Sequence, residues 1–519
     1  MDTTVCILTA GSGSRLKKYT KNKNKSLLSI NKESVLTKIF KNFPKKTKFI
    51  VSTGYKSKQV ENFVQIHHPE LNVKFVKIKN YNGAKSGPAF SLYKCKKYLQ
   101  TPFFFVSCDT LWKKKIYDFK SFNWMGSYNP NNLNSADYCN LITKNNDIIK
   151  IVDKKKIKIN KNRSIFVGLA FIKDYKIFWD GFQSFSNKEP QVSMGFKRII
   201  NDKKKIKKID MDWEDTGTKN KYEKLIIKYE KYNFNKDNQQ IYISKSRVTK
   251  FFNEKKMINN LFYKAKMKKN IFPSGLKIKN NFISYDYVKG KTLYNMYNVK
   301  SFKNLLKFLE SSLWNDEFKK SISFYKNCKK FYYYKTHERL KMYLKKNPSL
   351  DQGNYSFKNL KLKGVNYLLK KIDWSIFYNG VPKFIHGDLQ FDNIIGISKK
   401  RFKLLDWRPT FGDSKTIGDQ YYDFAKLLGG LEINYDLVKK NKFRYNINKN
   451  KILLKIPTRK NSVKLINFFK KYLEKNNYDL KKVKILTGLI FLNMSPLHHE
   501  PFDKLLFFYG KYYLQKNLN

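Results

Sequence analysis

The segment Phe384–Asn393 reads FIHGDLQFDN, and Leu404–Trp407 reads LLDW. These two stretches restrict the chain more than any other feature, because they set three polar groups against short apolar runs. Asp388 sits on a turn after Phe384 and Ile385, Asn393 follows five residues later, and Asp406 closes the next apolar run 18 residues after Asp388. A carboxylate alone is ordinarily a solvated surface group. An acid, an amide and a second acid in this order are the set that phosphoryl transfer from ATP uses, one carboxylate near the attacking hydroxyl and an amide and a carboxylate on Mg²⁺. The compound spacing carries the signal, not any one residue.

From about Ile241 to the C-terminus the chain resembles the aminoglycoside phosphotransferase and choline kinase superfamily, which implies an α+β, protein-kinase-like domain. The resemblance implies that Asp388 is the catalytic base and that Asn393 and Asp406 are Mg²⁺ ligands. GDQYYDFAKLL (Gly418–Leu428) is similar to the family's GDxxYDLA segment, in which Asp423 braces the catalytic loop and does not touch substrate. YDYVKGKTL (Tyr285–Leu293) resembles the hinge that bonds adenine through its backbone, at Tyr285 and Tyr287. RVTKFF (Arg247–Phe252) offers Lys250 as the phosphate-gripping lysine. The family pairs that lysine with a Glu on the following helix. The helical stretch Lys255–Lys269 contains no acid, so either Glu254 serves or the pairing differs.

The other end of the chain carries a second signal. The apolar run Val5–Ala10 leads into GSGSRL (Gly11–Leu16), then basic residues, then SLLSI (Ser26–Ile30). A strand feeding a glycine-rich turn and a helix presents backbone N–H groups to phosphates, and glycine there permits close backbone approach. The whole resembles the LxAGxGxRL…PKxLL signature of nucleotidyltransferases that activate sugar phosphates or phosphocholine, with Asn24 in place of the family's proline. The resemblance puts Leu8, Ala10, Gly11 and Gly13 on the nucleotide, and Arg15 and Lys25 on the phosphates and the departing pyrophosphate. Three further matches follow in the family's order: KFIVSTGY (Lys48–Tyr55), PFFFVSCDTLW (Pro102–Trp112) ending near Asp109, and WEDTGT (Trp213–Thr218) with Asp215. Asp109 and Asp215 are the expected Mg²⁺ ligands; their separation of 106 residues means nothing by spacing alone. On the substrate side, FVGLAFI (Phe166–Ile172) supplies Gly168, IVDKKK (Ile151–Lys156) supplies Lys154, and NGAKSGPA (Asn82–Ala89) supplies Gly83 on a base-contacting loop.

At 519 residues the chain accommodates two α/β-sized catalytic domains, each long enough to bury a core. The motif sets do not interleave, and the polar stretch YEKYNFNKDNQQ (Tyr229–Gln240) lies between them, so the expected division is 1–235 and 236–519. Short strands alternating with helical patterns in the first part predict a Rossmann-like domain with a mostly parallel sheet. Leu305–Leu313 and Leu360–Lys370 read as helices, and the aromatic cluster FYYY (Phe331–Tyr334) as core.

Net charge is +67, from 107 basic and 40 acidic residues. The lysines run through every segment together with abundant Asn, Ile, Tyr and Phe, which is the pattern of an AT-rich coding bias. No nucleic-acid-binding motif is present, and nucleic acid is not an expected partner. Peripheral contact with an acidic membrane stays open, and a positive field suits nucleotide and phosphate ligands. Five cysteines show no CxxC or framework spacing, there is no signal-peptide pattern and no apolar run of membrane-spanning length, so a cytoplasmic location is expected.

Read together, the two resemblances imply consecutive steps: a kinase using ATP and Mg²⁺ on a small alcohol, and a transferase coupling that phosphate to a nucleotide from a second NTP. The expected product is an NDP-activated precursor for surface glycan. Two substrates compete, a sugar or polyol and choline. The choline kinase family carries Asp-Trp-Glu at the metal site, whereas this chain has Asp406-Trp407-Arg408. If Arg408 faces the pocket it repels a quaternary ammonium and favours a sugar-like or anionic substrate; if it pairs with Asp413 or Asp419 the repulsion vanishes. A regulatory module with one inactive domain is the remaining alternative.

Overall fold

The computed structural model describes residues 3–83, 86–129, 134–158, 162–182, 191–229, 239–352 and 354–518. Residues 230–238 of the polar stretch, and 84–85 of the loop Asn82–Ala89, lie outside the described residues. The chain divides into two compact units. The first holds Met1–Glu230, Gln240–Asn253 and Lys279–Phe282; the second is built mainly from Glu254–Ile278 and Ile283–Asn519.

The first unit is organised by a nine-stranded sheet in the order Asn72–Lys77, Lys48–Thr53, Thr4–Leu8, Phe103–Ser107, Arg163–Ile172, Asn123–Tyr128, Ile206–Asp210, Asp147–Asp153, Cys139–Lys144. Thr4–Leu8 lies between two parallel neighbours, with Thr4 opposite Lys48 and Phe103. Such a strand is covered on both faces and reads as a continuous apolar run. Its side chains alternate accordingly: Val5 and Ile7 enter one core cluster, Cys6 and Leu8 the other. In the other half of the sheet only Asn123–Tyr128 and Ile206–Asp210 pair in parallel. Arg163–Ile172 runs antiparallel to both Phe103–Ser107 and Asn123–Tyr128, so the sheet is mixed and not mostly parallel. The antiparallel course of Arg163–Ile172 is set by pairing with strands distant in sequence, and the edge of the sheet beyond it is closed by a hairpin. Lys144 pairs with Asp147 across a two-residue turn at Asn145 and Asn146, both at positive φ (51° and 63°), where a tight hairpin replaces a crossover helix.

The core of this unit extends past residue 235. Tyr242, Phe251 and Phe282 belong to the same buried cluster as Val5 and Phe63. The Tyr242 hydroxyl donates to the Leu27 carbonyl at 2.7 Å, and His67 Nδ1 shares a 2.8 Å hydrogen bond with Thr249 Oγ1. A division at 235/236 therefore separates the first unit from aromatic residues that complete its core.

The second unit surrounds small antiparallel ladders with helices. Pro382–Phe384 pairs with Ile417–Asp419, and Ile394–Gly396 with Phe402–Leu404 and Lys291–Thr292. Helices Leu480–Met494 and Phe502–Leu518 cross closely at two glycines: a Cβ on Gly488 would meet the Leu514 backbone at 3.1 Å, and one on Gly510 would meet Leu492 at 2.9 Å. Leu305–Leu313 falls largely within a helix, Val299–Ser312. The helix expected over Leu360–Lys370 is shorter, Val365–Lys370, because extended Gly364 starts it and Leu360–Lys361 instead pairs with Ser356–Phe357. Phe331 and Tyr332 are core residues, whereas Tyr334 is exposed.

Candidate active sites

In the first unit, strand Thr4–Leu8 leads into a loop whose two glycines differ. A Cβ on Gly11 would meet nothing within 4 Å, which leaves the backbone approachable. Gly13 is left-handed (φ 69°), and a Cβ there would lie 3.1 Å from Lys25 Cβ and from Thr20. Leu8 and Ala10 are buried, with the Ala10 carbonyl accepting from Tyr55 N at 2.8 Å. Arg15 is exposed on the turn that follows.

Asn24 does more than fill a proline position. Its φ and ψ (−68°, 142°) are those proline would adopt. Its amide donates to the carbonyls of Thr9 (3.0 Å) and Tyr55 (2.7 Å), and its Oδ1 accepts from Ser26 N and Ser26 Oγ. The residue is fully buried, so two hydrogen bonds tie the loop before Lys25 to the ends of two parallel strands and two more hold Ser26 beyond it.

Lys25 Nζ lies 3.0 Å from Asp109 Oδ2, and Ser107 Oγ donates to Asp109 Oδ1 at 2.6 Å. Burial opposes charge on both partners. The Lys25 charge, the Ser107 hydroxyl and Arg15 nonetheless bring Asp109 down to about 2, and Asp109 holds Lys25 well above the ordinary lysine range. Asp215 arrives through tertiary pairing: it faces Thr110 in an antiparallel bridge, and Thr216 N donates to the Asp109 carbonyl at 2.9 Å. A Cβ on Gly217 would stand 2.9 Å from Asp215 Oδ1 and 3.3 Å from Asp109 Oδ2. The two carboxylates thus border one small space.

Lys221 and Tyr138, not anticipated from sequence, complete this corner. Lys221 Nζ lies 2.6 Å from Asp215 Oδ2 and donates to the Tyr138 hydroxyl, which also reaches that oxygen at 3.3 Å. Lys221 follows Asp215 by six positions, but in so lysine-rich a chain nothing marks it. Gly168 (φ 79°) packs where a Cβ would lie 2.8 Å from Ser107 Cβ; it lets the strand pass over the residues that orient Asp109. Lys154 is exposed at φ 44°, its N–H on the Tyr138 carbonyl at 3.0 Å. Gly83 (φ 84°) borders open space. Lys250 is buried on strand Arg247–Phe252 and groups with the first unit. Among the described residues no three His, Cys, Asp or Glu side chains gather as a metal cage. Two carboxylates completed by phosphate oxygens and water are a donor set that fits Mg²⁺.

In the second unit the hairpin Ile394–Gly396/Phe402–Leu404 pairs Ile394 with Leu404, and Leu405 N donates to the Asn393 carbonyl at 2.7 Å. Asn393 and Asp406 therefore emerge at the same end. Asn393 Nδ2 donates to the Asp388 carbonyl at 3.0 Å, which ties the amide to the loop that carries Asp388. Asp406 holds φ 56°, a left-handed conformation uncommon for non-glycine residues and most accessible to Asn and Asp. An amide oxygen and a carboxylate at one hairpin end also fit Mg²⁺.

Asp423 braces the loop as expected: Oδ1 accepts from Gly387 N (2.7 Å) and Oδ2 from His386 N (2.9 Å) and Trp314 Nε1 (3.2 Å). Burial pushes this carboxyl up while those donors and buried Lys264 oppose the rise. His386 is buried and its Nδ1 accepts from Asp388 N at 3.2 Å, a backbone-supporting role. Lys426, one helical turn past Asp423, forms a 2.8 Å ion pair with Asp388 Oδ1. Tyr285 is buried with its ring 5.9 Å from that of Trp407, and Tyr287 is exposed. Glu254 is exposed ahead of helix Lys255–Met267.

Arg408 pairs with neither Asp413 nor Asp419. Its Nε donates to the Gly387 carbonyl at 3.1 Å, and its guanidinium lies 5.2 Å from the Phe331 ring centroid and 5.8 Å from that of Tyr422. Asp413 is taken by Lys330, and Asp419 has Lys482 at 4.0 Å.

No protein-family model matches the chain, and no curated protein is similar to it. Solved structures similar to it include an inositol-1-phosphate CTP transferase from T. maritima (17% identity, 44% of this chain and 96% of that one, TM-score 0.36). The CTP:phosphocholine cytidylyltransferase of Streptococcus pneumoniae is similar at 17% identity (44% and 99%, TM-score 0.36), and HddC of Yersinia pseudotuberculosis at 19% (44% and 99%, TM-score 0.34). No helix among the described residues is long and apolar enough to cross a membrane.

Proposed function

We propose that the chain is a two-site transferase: the second unit phosphorylates a small alcohol with ATP, and the first couples that phosphate to a nucleotide and releases pyrophosphate. The observation that carries the reading is the meeting of Asp109 and Asp215 beside Gly217, with Lys25 on the first and Lys221 on the second. A site of this kind must bind a triphosphate, hold an incoming phosphate oxygen toward the α-phosphorus and neutralise the leaving pyrophosphate. Lys25 is protonated and exchanges its carboxylate partner for a phosphate oxygen, while exposed Arg15 meets the outer phosphates. Backbone N–H groups of the Gly11–Gly13 turn, left approachable at Gly11, receive the remaining phosphate charge. Bound Mg²⁺ supplies Lewis acidity toward the phosphates, held by Asp109 and Asp215 here and by Asn393 and Asp406 in the second unit.

In the second unit Asp388 accepts the proton of the attacking hydroxyl, and Lys426 fixes its orientation. Asp423 keeps the loop rigid through the backbone of His386 and Gly387. The favoured acceptor is a sugar or polyol, giving an NDP-activated glycan precursor. Choline is disfavoured because the Arg408 guanidinium borders the loop that carries Asp388. The test is a product screen by mass spectrometry: full chain, Mg²⁺ and ATP with each NTP in turn, offered choline, ethanolamine, hexoses and polyols. An NDP-linked sugar or polyol supports the reading; CDP-choline from choline and CTP replaces its substrate, and no nucleotide-linked product overturns it.

A further inference from the structure

Two cations, Arg408 and Lys426, touch the loop carrying Asp388, and two more from one further helix, Lys335 and Arg339, gather beside them. Lys426 sits on Asp388 itself. Arg408 lies against the rings of Phe331 and Tyr422, and Lys335 lies against the same two rings, with Nζ 3.0 and 5.5 Å from their centroids. Arg339, one turn past Lys335 on helix Lys335–Lys346, donates to the Asn493 carbonyl at 3.1 Å. Elsewhere in this unit buried lysines meet carboxylates, Lys511 on Asp351 at 2.7 Å and Lys482 with Asp419 at 4.0 Å. Among the described residues Lys335, Arg339 and Arg408 have no carboxylate within ion-pair distance. Glu338 is an opposing charge that acts on Arg339, and Asp388 is paired with Lys426. Burial first, and then the neighbouring charges of Arg408, Arg339 and Lys426, push the Lys335 ammonium well below its ordinary range.

A cluster of this sign next to a phosphotransfer base is costly unless an anion completes it. Guanidinium and ammonium groups held on aromatic faces remain oriented for a carboxylate or phosphate oxygen. We infer that the alcohol phosphorylated in the second unit carries an oxyanion of its own, a carboxylate or a phosphate monoester, seated on Lys335, Arg339 and Arg408 while its hydroxyl faces Asp388. This rests on the phosphotransfer reading above and narrows its substrate from sugars and polyols in general to sugar acids or sugar phosphates.

Two measurements on the full chain separate the two claims. Calorimetry without nucleotide compares glucose 6-phosphate and gluconate with glucose and choline, in the native protein and in Lys335→Met, Arg339→Met and Lys335→Arg. Binding of an anionic probe that weakens roughly tenfold or more in either Met variant and returns in Lys335→Arg supports the inference. Equal binding of neutral and anionic probes, or binding indifferent to both Met variants, overturns it. ATP-dependent phosphorylation of the same four compounds then reads the acceptor. An anionic acceptor whose KM rises in Lys335→Met with kcat little changed supports the inference, and preferential use of glucose or choline overturns it. Phosphorylation of none, with anion binding intact, removes the phosphotransfer reading and leaves the anion site standing. Thermal melts of each variant establish that it is folded.

Discussion

At the residue scale each site turns on one carboxylate that the chain has fixed in place. Asp388→Asn keeps the shape but removes the carboxylate that the proposed phosphotransfer uses as proton acceptor. It is expected to lower ATP-dependent phosphorylation by ~10²–10⁴ and to leave nucleotidyl transfer from a pre-phosphorylated acceptor unchanged, while Asp109→Ala does the reverse. Undiminished turnover of the free alcohol in Asp388→Asn would remove it from the base role. Asn24 offers a second residue-scale test. Asn24→Ala frees the buried Thr9 and Tyr55 carbonyls and the Ser26 N–H from their partner. Each such loss costs about 1–3 kcal/mol, so the melting temperature should fall by several degrees, and pyrophosphate release should slow as Lys25 loses its anchor. A variant with native melting and native rate would mean that the backbone alone sets the loop.

At the element scale, helix Gln420–Glu432 holds the loop that carries Asp388 through Asp423. Removing that carboxylate leaves the His386 and Gly387 N–H groups and the Trp314 indole without their acceptor, and buried Lys264 without its counter-charge. Asp423→Ala should therefore destabilise the second unit by about 3–5 kcal/mol and reduce kinase kcat, with nucleotidyl transfer spared. Asp423→Asn keeps one acceptor and should fall between. Equal kinase rates in all three proteins would rule out bracing. The aspartate was legible in GDQYYDFAKLL. Its neighbour Lys426 was not, because a lysine three positions on has no distinguishing pattern until the helix turns it onto Asp388.

At the scale of the whole molecule, the first unit has a pH-sensitive core contact beyond its sheet. His67 is almost fully buried, and burial, helped by the charges of His68, Arg247 and Lys41, pushes its pKa down to about 2. The unfolded chain takes up that proton near 6.5. Because the folded value is the lower one, stability is fully present above pH 6.5 and is lost as pH falls below it, by ~1.4 kcal/mol per pH unit until about 2. His67→Gln should flatten the acid limb of unfolding free energy against pH. An unchanged slope would assign acid sensitivity elsewhere. The same contact bears on domain limits. A 1–235 fragment lacks Thr249, Tyr242 and Phe251, and each lost aromatic anchor costs about 1.5–3 kcal/mol. That fragment should be markedly less stable than the first unit in the full chain, by denaturant unfolding, and extension to 253 should recover part of the difference.

Local patterns were enough to mark the strand-turn segments and the glycine turn and to single out the acids at 109, 215, 388 and 406 as candidates, because each of these readings depends on a few neighbouring residues. The direction of strand Arg163–Ile172, the arrival of Asp215 opposite Thr110, and Lys221 and Lys426 as ion-pair partners depend on strand pairing and packing between distant segments. So does the position of Arg408, which could have met Asp413 or Asp419 and instead bonds to Gly387 and lies on two aromatic rings. Side chains on long lysine and arginine stems are oriented by what packs around them, and in a chain with 107 basic residues the sequence marks a positive charge at nearly every turn. Only the tertiary structure decides which of those charges meets a carboxylate and which, like Lys335 and Arg408, are instead laid on aromatic rings.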